Sequence, residues 1–372
     1  MCPLVCGTVN SVSLNDSKQG LDWSVWHGDI ASGKSTTIGS YLIRFLLSLA
    51  SIPYAVCIKI RNALFNFKIF KIKKVTVPVI CVGNLTTGGT GKTPFVEWVC
   101  NVLRSFELRV AILSRGYGGA GGANDEAMVL EDRLPDVPHL QGPDRFLIAN
   151  SAIEELESEV LVLDDGFQHR QLARDLDIVL VDATNPWGHG HMLPRGTLRE
   201  PREGLKRAGA VVLTRVDQVP EEKLARIRNE IKNLAPGLVV CEAVHQPAEM
   251  ICWGSDALEL DEIKGKRVLA FCGIGNPGSF LQTLGSLGAN VIGCRVFPDH
   301  HAYSRNDIQD LIEWAGPISD SETNLVTTHK DLVKIRASSL GGISLYALRI
   351  EMRFLSGVEE IASLVRSRVL MV

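Results

Sequence analysis

Residues 77–94 read V-P-V-I-C-V-G-N-L-T-T-G-G-T-G-K-T-P. Val79–Val82, entered through Pro78, is a β-branched apolar run with the signature of a buried strand, and Pro94 suits a first helical turn. Between them Gly88, Gly89 and Gly91 let the backbone close on a ligand. A strand, a glycine-rich turn and a helix N-terminus together make backbone N–H groups converge on phosphate oxygens. Thr86, Thr87, Gly88, Gly89, Thr90, Gly91, Lys92 and Thr93 are therefore the candidate nucleotide-binding residues, with Lys92 bridging terminal phosphates and Thr93 ligating Mg²⁺. Thr86 stands where G-x-x-x-x-G-K-[ST] has its first Gly. The strict pattern occurs once, at Gly28, Gly33, Lys34 and Ser35, but Asp22 and His27 interrupt the residues before it and no strand delivers the chain into that turn. No phosphate site is expected there.

Outward from the loop, short apolar runs alternate with amphipathic stretches. Val110–Leu113, Val160–Leu163, Ile178–Val181 and Val211–Leu213 read as strands covered on both faces, and Pro94–Arg104 and Glu221–Leu234 as helices. A second series follows: strand Val268–Phe271, helix Pro277–Leu287, strand Val291–Val296, helix Asn306–Trp314 and strand Leu325–Thr328. The expected fold is α/β, a doubly wound, mostly parallel sheet of P-loop NTPase type, with a second smaller α/β domain and an N-terminal membrane-interface helix. Expected boundaries are an extension over 1–38, a basic docking segment over 39–74, a core over 75–235, a connection over 236–263 and a C-terminal domain over 264–372. The run Val160–Leu163 ends in Asp164 and Asp165, where a phosphate-loop enzyme places carboxylates for Mg²⁺.

The chain has 372 residues and a net charge of −3, so no global basic field exists to hold a nucleic acid. Its nine cysteines include no C-x-x-C pair; Cys57, Cys81, Cys100, Cys272 and Cys294 sit in apolar runs and are expected as buried thiols in a reducing compartment. No acidic residue lies between Asp29 and Glu97, whereas Arg44, Lys59, Arg61, Lys68, Lys71, Lys73 and Lys74 crowd 41–74. The uncharged part, Phe45–Ile58, is 14 residues broken by Pro53, short of the roughly 20 needed to span a bilayer. With Phe65, Phe67 and Phe70 interleaved among the basic residues, it suits a segment lying in an anionic membrane interface. The polar start argues against a secretory signal, and the absence of Arg before 41 against a transit peptide.

Residues 77–93 resemble the V-P-V-I-x-V-G-N-L-T-x-G-G-x-G-K-T loop of the tetraacyldisaccharide 4'-kinases. Leu113–Tyr117 resembles L-S-R-G-Y, Leu163–His169 L-D-D-G-F-Q-H, Leu193–Pro201 L-P-x-G-x-L-R-E-P, and Asp299, His300, Tyr303 and Ser304 D-H-x-x-Y-S. The resemblance covers roughly residues 40–335. It implies an ATP- and Mg²⁺-dependent kinase that phosphorylates the acylated disaccharide precursor of lipid A at the cytoplasmic face of the inner membrane, with no nucleic-acid partner and no obligate protein partner. It also implies that Asp125 pairs with His300 to accept the proton, that Glu126 helps hold Mg²⁺, and that Asn84, Arg145, His169 and Arg199 serve the acceptor. Asn124 departs from the family's G-D-E. Either Asp125 or His300 could take the proton, since a carboxylate can fix an imidazole tautomer or be made more basic by it.

Two alternatives belong to other classes. A GTPase is suggested by Leu213–Asp217, L-T-R-V-D, similar to the guanine-reading T-K-x-D, but Arg215 replaces the lysine and Phe167 replaces the glycine of a D-x-x-G switch. A membrane-docked, non-catalytic nucleotide-binding protein is the other.

Overall fold

The computed structural model describes residues 30–33, 35–116 and 125–370. Gly28 and Lys34 of the strict pattern, Tyr117 and Asn124 lie outside the described residues. Two compact units are present: residues up to Gln246 joined by those from Glu351 onward, and Pro247–Ile350.

In the first unit, β1 (Val79–Asn84) leads through the glycine-rich turn to α2 (Lys92–Arg104), then β2 (Val110–Ser114), α3 (Asp125–Arg133), β3 (His139–Gln141), α4 (Arg145–Glu154), β4 (Val160–Asp164), β5 (Leu176–Asp182), β6 (Ala210–Thr214), α5 (Glu221–Leu234) and β7 (Val239–Ile251), preceded by α1 (Ile38–Asn66). Strand order is β3-β2-β4-β1-β5-β6-β7, and these neighbours pair in parallel. Chain order reverses around β1, so ligand space opens at the carboxyl ends of β1 and β4. The register pairs Val82 with Asp164, which delivers the acidic strand end beside the start of the phosphate loop. β1, β2, β4 and β6 are buried at every position, which is why they read as continuous apolar runs.

The second unit holds β8 (Arg267–Cys272), α6 (Pro277–Ser286), β9 (Asn290–Val296), α7 (Arg305–Ala315), β10 (Thr323–Thr328), α8 (His329–Ile335), β11 (Ser339–Leu340) and most of β12 (Ile343–Ser356), in the order β12-β10-β8-β9 with β11 antiparallel on β12. The last helix, α9 (Val358–Leu370), returns to the first unit.

The expected boundaries and thiols need three corrections. The connection over 236–263 contains the long strand β7, Val239–Ile251. The expected C-terminal domain over 264–372 ends at Ile350, because Ile361, Val365 and Val369 of α9 complete the first unit's core beside Val99, Leu103 and Val160. Burying such a side chain stabilises by roughly 1.5–3 kcal/mol, enough to fix that allegiance. Cys57 is exposed and Cys294 only partly buried, while Cys81, Cys100 and Cys272 are buried as expected.

Helix α1 is also longer than the 14-residue apolar run. It holds 29 residues through Pro53, about 43 Å, and is long and apolar enough to cross a bilayer. Thr37 caps it, its Oγ1 accepting from Ser40 N at 3.2 Å. Leu42, Phe45, Leu46, Leu49, Ile52, Val56 and Ile60 recur at helical spacing and are all exposed. The other face is bonded to the first unit. Tyr54 Oη donates to Arg199 O at 2.8 Å, Asn62 Nδ2 to Glu200 Oε2 at 3.3 Å, and Arg170 Nη2 donates to Asn66 Oδ1 at 2.8 Å. The tail beyond the helix exposes Phe67, Ile69, Phe70 and Ile72 among its lysines.

Candidate active site

The turn after β1 is held from three sides. Asn84 Nδ2 donates to Thr90 Oγ1 at 3.1 Å, Thr214 Oγ1 at the end of β6 donates to Thr90 O at 3.0 Å, and Thr87 N donates to Thr197 O at 2.8 Å. Gly91 caps α2 with φ 88°, a region L side chains rarely adopt. A Cβ there would stand 2.2 Å from His245 Nε2, so only glycine fits. Lys92 and Thr93 follow as the first residues of α2.

The Lys92 side chain is only 17% exposed, its Nζ 3.6 Å from Asp165 Oδ1. Asp165, in a left-handed conformation with φ 50°, also accepts from Arg199 Nη1 at 2.9 and 2.8 Å. Burial works against the Asp165 charge, yet Lys92 and Arg199 hold its carboxyl below the usual carboxylate range. Asp164 differs in kind. It is 6% exposed, its Oδ1 has no hydrogen-bond partner among the described residues, and burial pushes its pKa up to about 6 against the pull of Lys92. Charges on Asp165 and Glu126 add to that push, which places Glu126, in the first turn of α3, within electrostatic reach. Asp125 opens the same helix.

A buried carboxylate oxygen without a partner, a second carboxylate and the Thr93 hydroxyl form a hard-oxygen donor set, which fits Mg²⁺. Among the described residues no three His, Cys, Asp or Glu side chains form a protein-only metal cage.

The acceptor candidates fall into two groups. Arg199 faces Asp165 as described. Arg145, buried at the start of α4, donates Nη1 to Pro143 O at 3.1 Å and lies close enough to His169 to affect its charge. Burial, then Arg145 and Arg174, push His169 down to about 4, so it is neutral at pH 7 within a guanidinium-rich cluster that includes Arg115. Asn84 is fully buried, with its Oδ1 unpartnered.

His300 belongs to the second unit, on the loop after β9. Its φ is 61°, its N–H donates to Gly273 O at 3.2 Å and to Asp299 Oδ1 at 3.1 Å, and its Nε2 lies 3.9 Å from Asp299 Oδ2. His301 pairs with Asp307 at 3.2 Å, and His189 Nε2 lies 3.0 Å from Asn185 Nδ2. Arg215, at the position of a guanine-reading lysine, is engaged in an ion pair with Asp182.

Four residues to which the motifs assigned no role complete the site: Gln168, Glu200, Thr214 and His245. Gln168 Nε2 donates to Asn84 O at 2.8 Å and to Glu200 Oε1 at 3.0 Å, and Glu200, fully buried, also accepts from Arg207 at 3.0 Å. Gln168, Glu200 and Thr214 lie inside quoted motifs and are legible as positions, though not as roles. His245 carries no local signal, since only the fold brings β7 beside Gly91.

Residues 43–369 match the family described as tetraacyldisaccharide-1-P 4'-kinase. The chain is 41% identical over 321 residues to a tetraacyldisaccharide 4'-kinase of Anaeromyxobacter sp. strain Fw109-5, covering 81% of this chain and 85% of that one. It is 36% identical over 358 residues to the enzyme of that name from Halothermothrix orenii, covering 87% and 92%. Among solved structures it is similar to LpxK from Aquifex aeolicus in complex with ATP, with 31% identity and a TM-score of 0.72 over 88% of this chain and 99% of that one.

Proposed function

Because the chain belongs to the tetraacyldisaccharide 4'-kinase family, we propose that its phosphate loop and the Asp164–Asp165 strand end carry out that family's reaction with the residues described above. The activity is ATP-dependent phosphorylation of the 4'-hydroxyl of the lipid A disaccharide precursor. The observation that carries the division of roles is the contrast between two adjacent carboxylates. Asp165 is neutralised by Lys92 and Arg199, whereas Asp164 Oδ1 is buried without a partner.

Loop N–H groups from Gly88 to Thr93 bind the phosphates, and Lys92, released from Asp165, follows the charge of the terminal phosphoryl group. Thr93, Asp164, Asp165 and Glu126 are the residues that would hold Mg²⁺, which when bound supplies neutralisation of phosphate charge. Arg199, Arg145, neutral His169 and Asn84 Oδ1 orient the polar groups of the acceptor. Asp125 and His300 are the groups assigned to the proton of the attacking 4'-hydroxyl. Incubation with γ-labelled ATP and a tetraacylated glucosamine disaccharide 1-phosphate should put label on the distal sugar; nucleotide binding with no label on the acceptor would return the chain to the non-catalytic reading.

The acceptor is bilayer-resident, so the enzyme must meet it at the surface. We assign that docking to the exposed face of α1 and the lysine-rich tail over 67–74, on the cytoplasmic face, where ATP is supplied. One face of α1 is bonded to the first unit, which favours a helix lying along the interface over one crossing it. No obligate protein partner is part of this reading. Replacing Leu42, Leu46 and Leu49 by Ser should cut sedimentation with anionic vesicles at least tenfold and raise KM for the lipid acceptor more than for ATP. The three exposed leucines are each worth up to roughly 1.5–3 kcal/mol on burial. Undiminished sedimentation would remove the assignment.

A further inference from the structure

Residues 192–200 lie between α1 and the phosphate loop, and they are bonded to both. On the α1 side, Ser51 Oγ lies 3.1 Å from Met192 O and accepts from Arg195 N at 3.1 Å, and Tyr54 Oη donates to Arg199 O at 2.8 Å. Asn62 donates to Glu200. On the loop side, Thr87 N donates to Thr197 O at 2.8 Å, Thr86 bridges Leu198, and Arg199 N donates to Leu85 O at 2.8 Å. The Arg199 side chain then grips Asp165, which grips Lys92. Each link is a directional polar contact, and Tyr54 and Ser51 are both partly shielded from solvent.

A helix serving only as an anchor needs an apolar outer face and any firm attachment to the protein. Here the attachment is made to the very segment whose other edge fixes Thr86, Thr87 and Arg199. We propose that Ser51 and Tyr54 are positioning residues for phosphoryl transfer, acting through residues 192–200 on Arg199 and the phosphate loop. The docking helix is thereby wired to the nucleotide end of the reaction. This coupling rests on the kinase reading above and deepens it, whereas membrane docking concerns the opposite face of the same helix.

The test uses full-length Tyr54→Phe and the Ser51→Ala/Tyr54→Phe double variant, assayed with acceptor in detergent micelles. A lost hydrogen bond corresponds to roughly a three- to tenfold effect, so kcat/KM for ATP should fall by about that factor per bond. Sedimentation with anionic vesicles should stay at the parent value. Amide exchange at Thr87 and Arg199 should quicken by a similar factor, a change that a general loss of stability would spread over the whole first unit. Leu49→Ser should do the reverse, weakening sedimentation while the ATP Kd holds. Tyr54→Phe removes one oxygen, so it carries the test alone if the double variant unfolds. Unchanged ATP parameters in folded Tyr54→Phe, or a loss confined to vesicle binding, overturns the coupling. A parent enzyme that does not sediment would instead sink the membrane reading and leave the coupling measurable in micelles.

Discussion

Lys92→Ala should lower phosphoryl transfer by about a thousandfold or more, because a half-buried cation facing phosphate charge acts where water substitutes for it poorly. The side chain is 17% exposed and sits among Asp165, Asp164 and the start of α2. Removing it deprives the terminal phosphate of its cation and leaves Asp165 with Arg199 alone. Lys34→Ala, in the strict sequence match, should leave the rate within about twofold. Measured single-turnover rates with both variants decide between the two lysines. A rate for Lys34→Ala as low as that expected of Lys92→Ala would falsify the assignment of the phosphate loop to residues 86–93.

Asp164→Asn should produce the second large effect, and in two directions at once. The carboxyl titrates at about 6 in the folded chain against 3.8 for its ordinary value, chiefly because burial penalises the charge. The folded state therefore holds the proton more tightly than the unfolded one. Its contribution to stability is fully present below about pH 3.8 and is lost as pH rises to about 6, a loss on the order of 3 kcal/mol. Asparagine carries no charge to bury, so the variant should lack this loss and melt at or above the parent temperature at pH 7.5. Its rate should fall at least a hundredfold, since the neutral amide is a poor partner for Mg²⁺. For the parent, nucleotide binding that needs the ionised carboxylate should weaken below about pH 6. Thermal melting between pH 5 and 8, with ATP binding across the same range, checks both. A variant that melts well below the parent at pH 7.5 would show that the Asp164 charge is compensated in the fold.

Much of this architecture was legible because parallel strands covered on both faces must be apolar at every position. Val79–Val82, Val160–Leu163 and Val211–Leu213 announce themselves in that way, and each lies within an observed strand. What escaped was set by tertiary context. β3 has only three residues, H-L-Q, and gains its identity from pairing with β2. Helix α4, R-F-L-I-A-N-S-A-I-E, has apolar residues around much of its circumference and offers no single stripe. β7 passes from one unit to the other, so its side chains meet different surroundings and follow no single alternation. At the site, phosphate-loop residues and acidic strand end could be read because their chemistry is local in sequence. The supporting roles of Glu200, Thr214 and His245 could not, because each acts on the loop from a strand or turn more than a hundred residues away.

The return of α9 to the first unit has a consequence during synthesis. Its Ile361, Val365 and Val369 belong to the same core as β1 and β4, yet the whole of 247–350 is made before them. While the ribosome still holds that late segment, the nascent phosphate-loop half exposes an unfilled apolar groove beside Leu103 and Val160. The core of the nucleotide-binding half is therefore closed only once α9 has been made.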